Sequence, residues 1–155
     1  MRFAGGFTYV AILIFIAIFT AGVAALGLGS QRDLIRDKEA ELLFIGEEFK
    51  QAIGNYYLRT PGGGGDYPKG LDELLSDERF INKPRYLRKI YVDPITGKKE
   101  WGLILSPSGR IIGIHSLSNQ TPLKTSGFDS AFDAFQRAGS YTDWKFIFVP
   151  DVIEQ

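Results

Sequence analysis

Cysteine is absent from this chain, and histidine and methionine each occur once. Without thiols there is neither a disulfide framework nor a thiolate metal site. The absence is compatible with an oxidising compartment and does not require one. The single histidine, His115, stands beside Ser116, but neighbours on a strand point to opposite faces. A Ser–His–acid triad therefore lacks evident partners, and a strand histidine with a structural hydrogen bond is the preferred reading. Net charge is missing too: 18 basic and 18 acidic side chains cancel over 155 residues. That balance gives no electrostatic argument for nucleic acid, and no RNA- or DNA-binding pattern is present, so no nucleic-acid partner is expected. The length supports one globular domain beyond an N-terminal segment.

What the chain does have is an abrupt apolar opening. The stretch GGFTYVAILIF begins at Gly5, and no charged side chain occurs from Phe7 to Leu28. At about 1.5 Å per helical residue this run measures roughly 33 Å, enough to cross a bilayer core. A helix that satisfies its own backbone is the expected solution in lipid. Two cleavage routes are open. Val23-Ala24-Ala25 can serve as a signal-peptide cut site after Ala25, although the apolar run exceeds the usual ~7–15 residues. Cleavage between Gly6 and Phe7 would instead leave the run on the mature chain. Arg2 precedes the run while Arg32, Arg36 and Lys38 follow it, so the positive-inside count does not favour a cytoplasmic N-terminus.

The helical pattern continues through SQRDLIRDKEAELLFIGEEFKQAIGNYY. Ile35, Leu42, Ile45, Phe49, Ala52 and Tyr56 recur at threes, fours and sevens, with Glu41, Glu47, Glu48, Lys50 and Gln51 between them. One long helix is expected. Ser30 is a candidate cap for a separate helix, and Gly22, Gly27, Gly29 and Gly46 mark candidate bends. A coiled coil is disfavoured by having only about two clean heptads. Pro61 and the run Gly62 to Gly65 end the helix. This is no phosphate-binding loop: Asp66 stands where the Walker pattern needs lysine, and a helix precedes it.

Beyond the loop, GLDELLSDERF predicts a short helix with Leu71, Leu74 and Leu75 on one side. KPRYLRKIYVDPITGKK is basic and turn-rich, with turn pairs at Asp93-Pro94 and Thr96-Gly97. Its cations, Lys83, Arg85, Arg88, Lys89, Lys98 and Lys99, suit acidic lipid headgroups or an acidic partner, with a solvated surface the plainer reading. WGLIL and RIIGIHS flank a Ser-Pro-Ser-Gly turn and predict a hairpin. Trp101, Leu103 and Leu105 are expected to share a core face with Ile112 and Ile114. WKFIFVP predicts a last strand with Trp144, Phe146 and Phe148 on one side. FDSAFDAFQRA reads as a short helix or structured loop, and its Asp129 and Asp133 match no EF-hand spacing. Phe44, Phe49, Trp101, Phe146 and Phe148 are the expected large core residues, and Tyr56 the helix–sheet contact.

The leader ending in Gly6, followed by FTYVAILIF, resembles the start of a type IV prepilin or a type II secretion pseudopilin. KEAELLFIGEEFKQAIGNYY, DYPKGLDELL, YLRKIYVDPITGKKEW and the GIHS strand are similar to the globular domain of major-pseudopilin-like proteins. The resemblance implies a pilin-like α+β fold: a long N-terminal helix, membrane-spanning in its first half, packed on a small antiparallel β-sheet. The implied division is 1–6 leader, 7–28 transmembrane and assembly helix, 29–60 amphipathic continuation, and 61–155 globular domain. It also implies cleavage after Gly6 and N-methylation of Phe7. The function implied is not enzymatic and needs no cofactor: a subunit of a periplasmic pseudopilus that promotes protein export, in a type II secretion or type IV pilus-like machine. The implied partners are prepilin peptidase, other pseudopilins, an inner-membrane assembly platform and membrane lipid. The implied location is a single pass in the inner membrane with the C-terminal domain periplasmic.

Two departures from that pattern stand out. Most members carry a glutamate five residues into the mature chain, able to pair with a neighbour's N-terminal ammonium at Phe7; here the position is Ala11. An unpaired buried charge is costly, so docking along a fibre is expected to weaken, as in tip-type minor subunits. The acidic calcium loop of major pseudopilins is also unrecognisable. Asp129, Asp133 and Asp143 are the nearby carboxylates, and no metal site is carried over. The competing readings are a periplasmic binding domain, on a plain anchor or freed by cleavage after Ala25, and a hydrolase built around His115.

Overall fold

Leu42, Ile45, Phe49, Ala52, Ile53 and Tyr56 lie three or four apart, which places them on one stripe of a helix, and all six are buried. They belong to α1, Gly5–Leu58, a helix of 54 residues. The computed structural model describes the backbone of residues 5–150 and the side chains of residues 8–20 and 31–150. Helix α1 closes with Arg59 N–H donating to Asn55 O and Thr60 N–H to Tyr57 O, and Pro61 cannot extend it. Gly62, Gly63 and Gly65 then turn the chain with positive φ of 86°, 77° and 57°, a conformation glycine adopts without a Cβ clash.

The expected membrane-spanning first half is overturned. Among the described residues, no helix is long and apolar enough to cross a membrane. From residue 31 onward charges interrupt the sequence. The chain divides into two compact units between Asp37 and Lys38.

The second unit holds a small antiparallel sheet: β1 Gly102–Leu105, β2 Ile111–His115 and β3 Phe146–Ile147, in the order β1-β2-β3. The Ser106–Gly109 turn joins β1 to β2; Gly109 N–H donates to Ser106 O and Gly109 has a φ of 75°. Register runs Gly102 opposite His115 to Ile104 opposite Gly113, then shifts at Leu105, which pairs with Ile111. Strand β3 lies along β2 with Ile114 opposite Phe146.

Here the expected facing is corrected. Trp101 is buried just before β1, but Leu103 and Leu105 are exposed, while Ile111 and Ile114 are fully buried and Ile112 only partly. Strand β1 is an edge, and the irregularity at Leu105 changes the alternation that a regular ladder would impose. Phe44 also departs from expectation, being 62% exposed: it lies two residues from Leu42, about 200° round the helix and off the buried stripe. Ile35 is exposed as well.

The remaining elements are 3₁₀ turns: Leu71–Leu74, Ser130–Arg137 and Tyr141–Asp143. FDSAFDAFQRA is thus helical only in this tighter form, with a kink at Phe132. Trp144 is fully buried in an aromatic stack, parallel to Phe135 at 5.5 Å and edge-on to Tyr141 and Phe128. Phe146 is buried and Phe148 partly so. The sheet reaches α1 at two glycines. A Cβ at Gly46 would collide with the Phe146 ring, and one at Gly54 would sit 2.7 Å from the Phe148 ring. Gly46 was expected as a bend; its role is close approach.

Candidate functional site

The sequence placed its functional residues at the head of α1. Gly6 and Phe7 lie outside the residues whose side chains are described, as does the alternative cut after Ala25. Ala11 sits within residues 8–20, all of which are exposed. Tyr9, Val10, Ile12, Leu13, Ile14, Phe15, Ile16, Ile18 and Phe19 are each about half exposed or more. Phe15 and Phe19 stack one turn apart at 6.5 Å, and the Thr20 hydroxyl donates back to Ile16 O and Ala17 O. No carboxylate occurs in this stretch, so position 11 offers nothing to an ammonium.

Three carboxylates that the sequence reading did not single out for function organise the second unit. Glu39, 1% exposed, accepts Leu123 N–H at 2.6 Å, Lys124 N–H at 3.1 Å and the Tyr141 hydroxyl at 3.0 Å. Burial, then the bond to Glu39, pushes the Tyr141 phenol above its ordinary value. A buried carboxylate survives by accepting enough hydrogen bonds to replace its water. The signal for Glu39 was available: it lies three residues before Leu42, on the apolar stripe rather than on the face of Glu41 and Glu48.

Asp77 is the second. Its oxygens accept Arg79 Nε–H at 2.9 Å, Arg79 Nη2–H at 2.8 Å and the Tyr86 hydroxyl at 3.0 Å. Burial pushes the carboxyl up, but the bonds from Arg79 and Tyr86 outweigh it, so the group is held below its usual range. Arg79 also donates to Tyr56 O at 2.9 Å and stacks 3.5 Å from the Tyr56 ring centroid. The Tyr56 hydroxyl donates to Glu73 at 2.6 Å. Tyr56 therefore joins α1 to the segment 73–86, not to the sheet as expected.

Asp93 is the third, 0% exposed. It accepts Ile95 N–H at 2.8 Å and the Ser116 hydroxyl at 2.7 Å. The Ser116 hydroxyl thus donates to Asp93 and not to His115. The His115 ring lies on the other side, with Nδ1 2.8 Å from Ser116 O and its edge over Gly102, where any side chain would collide with it. Asp129 and Asp133 are exposed, with Asp133 accepting from Gln136 at 3.1 Å. Asp143 caps its own turn through Gly139 and Ser140. Among the described residues no three His, Cys, Asp or Glu side chains gather to hold a metal ion.

No family model, curated protein or solved structure matches this chain. Each buried carboxylate braces a loop, and the exposed apolar residues of α1 are the surface that asks for a partner.

Proposed function

We propose that this chain is a pseudopilin-type subunit: prepilin peptidase cleaves it after Gly6, Phe7 becomes an N-methylated terminus, and it assembles with other pseudopilins into a fibre that promotes protein export. The observation that carries the reading is the division of labour along α1, which exposes apolar side chains at residues 8–20 and buries its stripe from Leu42 to Tyr56. One end of the helix is dressed for a domain of its own, the other for contacts outside it. Exposed apolar residues in such density mark a partner surface. The globular part works on the periplasmic side of the inner membrane, where an assembly platform adds subunits.

Ala11 fits a subunit with nothing ahead of it. A carboxylate at this position would neutralise the preceding subunit's terminal ammonium, and leaving that charge unpaired in a dry helix bundle costs several kcal/mol. The test is the mass of the mature N-terminal peptide in cells with active prepilin peptidase. It is expected to begin at Phe7 with one methyl group on its amine. A terminus at Leu26 would identify a domain released by signal peptidase, and an intact Met1 would overturn the proposal. Replacing Gly6 by a bulky residue is expected to block processing.

A further inference from the structure

The turn-rich segment between Lys83 and Lys99 carries six cations and a single acid, Asp93. Asp93 is fully buried and spent on Ile95 N–H and Ser116, so it neutralises nothing at the surface. Two of the cations are occupied: Lys83 pairs with Glu78 at 3.2 Å, and Arg85 donates to Leu75 O at 3.2 Å. Arg88, Lys89, Lys98 and Lys99 are exposed, and no carboxylate lies within ion-pair distance of them among the described residues. Glu100 follows directly in sequence and pairs with none of them.

The fold puts these four on one ribbon. Asp93 N–H donates to Lys98 O at 2.8 Å, Gly97 N–H to Asp93 O at 2.8 Å, and Trp101 Nε1–H to Tyr91 O at 2.9 Å. The chain from Tyr91 to Asp93 thus runs back along Gly97 to Trp101, with Arg88 and Lys89 just ahead of it. Leu87 and Trp101, 1% and 7% exposed, fix its ends in the core. The Lys89 ammonium rides 5.2 Å from the Tyr91 ring centroid, and Val92, 41% exposed, adds an aliphatic side chain between the cations.

We infer that this braced ribbon, Arg88, Lys89, Lys98 and Lys99 with Val92, is a docking surface for an anionic lipid bilayer. Three of its four cations are lysines, flexible point charges that suit a diffuse layer of headgroups better than the fixed bidentate geometry of a carboxylate. Lysine is also depleted from protein–protein interfaces, where arginine and aromatic residues take its place. Clusters of four or more basic side chains gain roughly fivefold in affinity per cation near an anionic membrane, and the effect weakens with salt.

The experiment compares binding of the full chain to phosphatidylcholine vesicles and to otherwise identical vesicles containing phosphatidylglycerol. The apolar stretch of α1 contributes to both, so the ratio isolates the charge. A gain of at least about tenfold on the anionic vesicles is expected, from four cations at roughly fivefold each before salt screening. Hydrogen exchange around residues 88–99 should slow only on those vesicles. Replacing Arg88, Lys89, Lys98 and Lys99 by Gln should abolish the gain, whereas Lys69→Gln with Lys145→Gln, exposed cations elsewhere, should leave it intact. If the fourfold variant unfolds, Lys98→Gln with Lys99→Gln should remove about half the gain on a logarithmic scale. A gain that persists in the ribbon variants overturns the inference. So does ribbon-dependent binding to polyglutamate with no preference for anionic vesicles, which would assign the surface to an acidic protein.

Discussion

A hydrogen bond to a buried charge is worth most when its loss strands the other partner. Glu39→Ala would leave Leu123 N–H, Lys124 N–H and the Tyr141 hydroxyl without their acceptor. The expected loss of stability is about 3 kcal/mol, read as a shift in urea midpoint. Tyr141→Phe removes one donor and leaves the two amides on the carboxylate, so it should cost only about 1 kcal/mol. Equal losses in the two variants would mean that the amides contribute nothing. Residues of this kind are hard to read from sequence because a glutamate on a helix is ordinarily solvated. Only the coincidence of Glu39 with the Leu42–Phe49 stripe betrays it, and its donors lie far along the chain. Asp93 was visible as a turn former; its bond to Ser116 depends on strand β2 arriving beside the turn.

At the scale of elements, helix periodicity was the legible part, and strand facing was not. The stripe from Leu42 to Tyr56 follows from spacing alone. Leu105 pairs across a register shift that no alternation pattern announces, while Leu103 is in regular register opposite Ile114 on the edge strand and is exposed all the same. The length of β3 depends on how far Phe146 and Phe148 can follow β2. The glycines of α1 make the point testable. Alanine normally stabilises a helix by up to about 1 kcal/mol relative to glycine. At Gly46 the new methyl meets the fully enclosed Phe146 ring, so Gly46→Ala should destabilise by about 1–3 kcal/mol in thermal or urea unfolding. At Gly54 the neighbouring Phe148 ring is only half-buried and can swing aside, so Gly54→Ala should be close to neutral. If the chain is the subunit proposed above, Ala11→Glu should increase its incorporation into fibres formed with co-expressed glutamate-bearing pseudopilins, as scored by cross-linking. Unchanged incorporation would mean that another group neutralises the terminus.

For the whole molecule the charged and phenolic networks set a pH window. Asp77 has a depressed folded value, so its stabilisation is present above the ordinary carboxyl range near pH 4 and is lost as pH falls through the lower folded value. Tyr56 and Tyr141 have raised values; their contribution is present below about pH 10 and is lost as pH rises beyond it. Unfolding midpoints measured across pH should therefore fall at both extremes, and Asp77→Asn should flatten the acid limb. Because Asp77 also accepts the Tyr86 hydroxyl and helps raise the Tyr56 and Tyr86 phenols, the alkaline limb should shallow with it. An acid limb unchanged by that substitution would assign the effect to other carboxyls.

The Glu39–Tyr141 bond also imposes a timetable on synthesis. Its two ends are separated by 102 positions in the chain. At about 5–20 residues per second, a ribosome delivers the tyrosine roughly 5–20 s after the glutamate. Until then the apolar stripe of α1 carries an acid whose set of donors is incomplete, the Leu123 and Lys124 amides arriving first and the Tyr141 hydroxyl last. The nascent helix therefore cannot bury that face at its own carboxylate, and closure of the domain waits for Tyr141 to emerge from the exit tunnel. Chains arrested on the ribosome before Tyr141 is exposed should remain open to protease around Leu42, and chains held there by a C-terminal linker long enough to expose it should not.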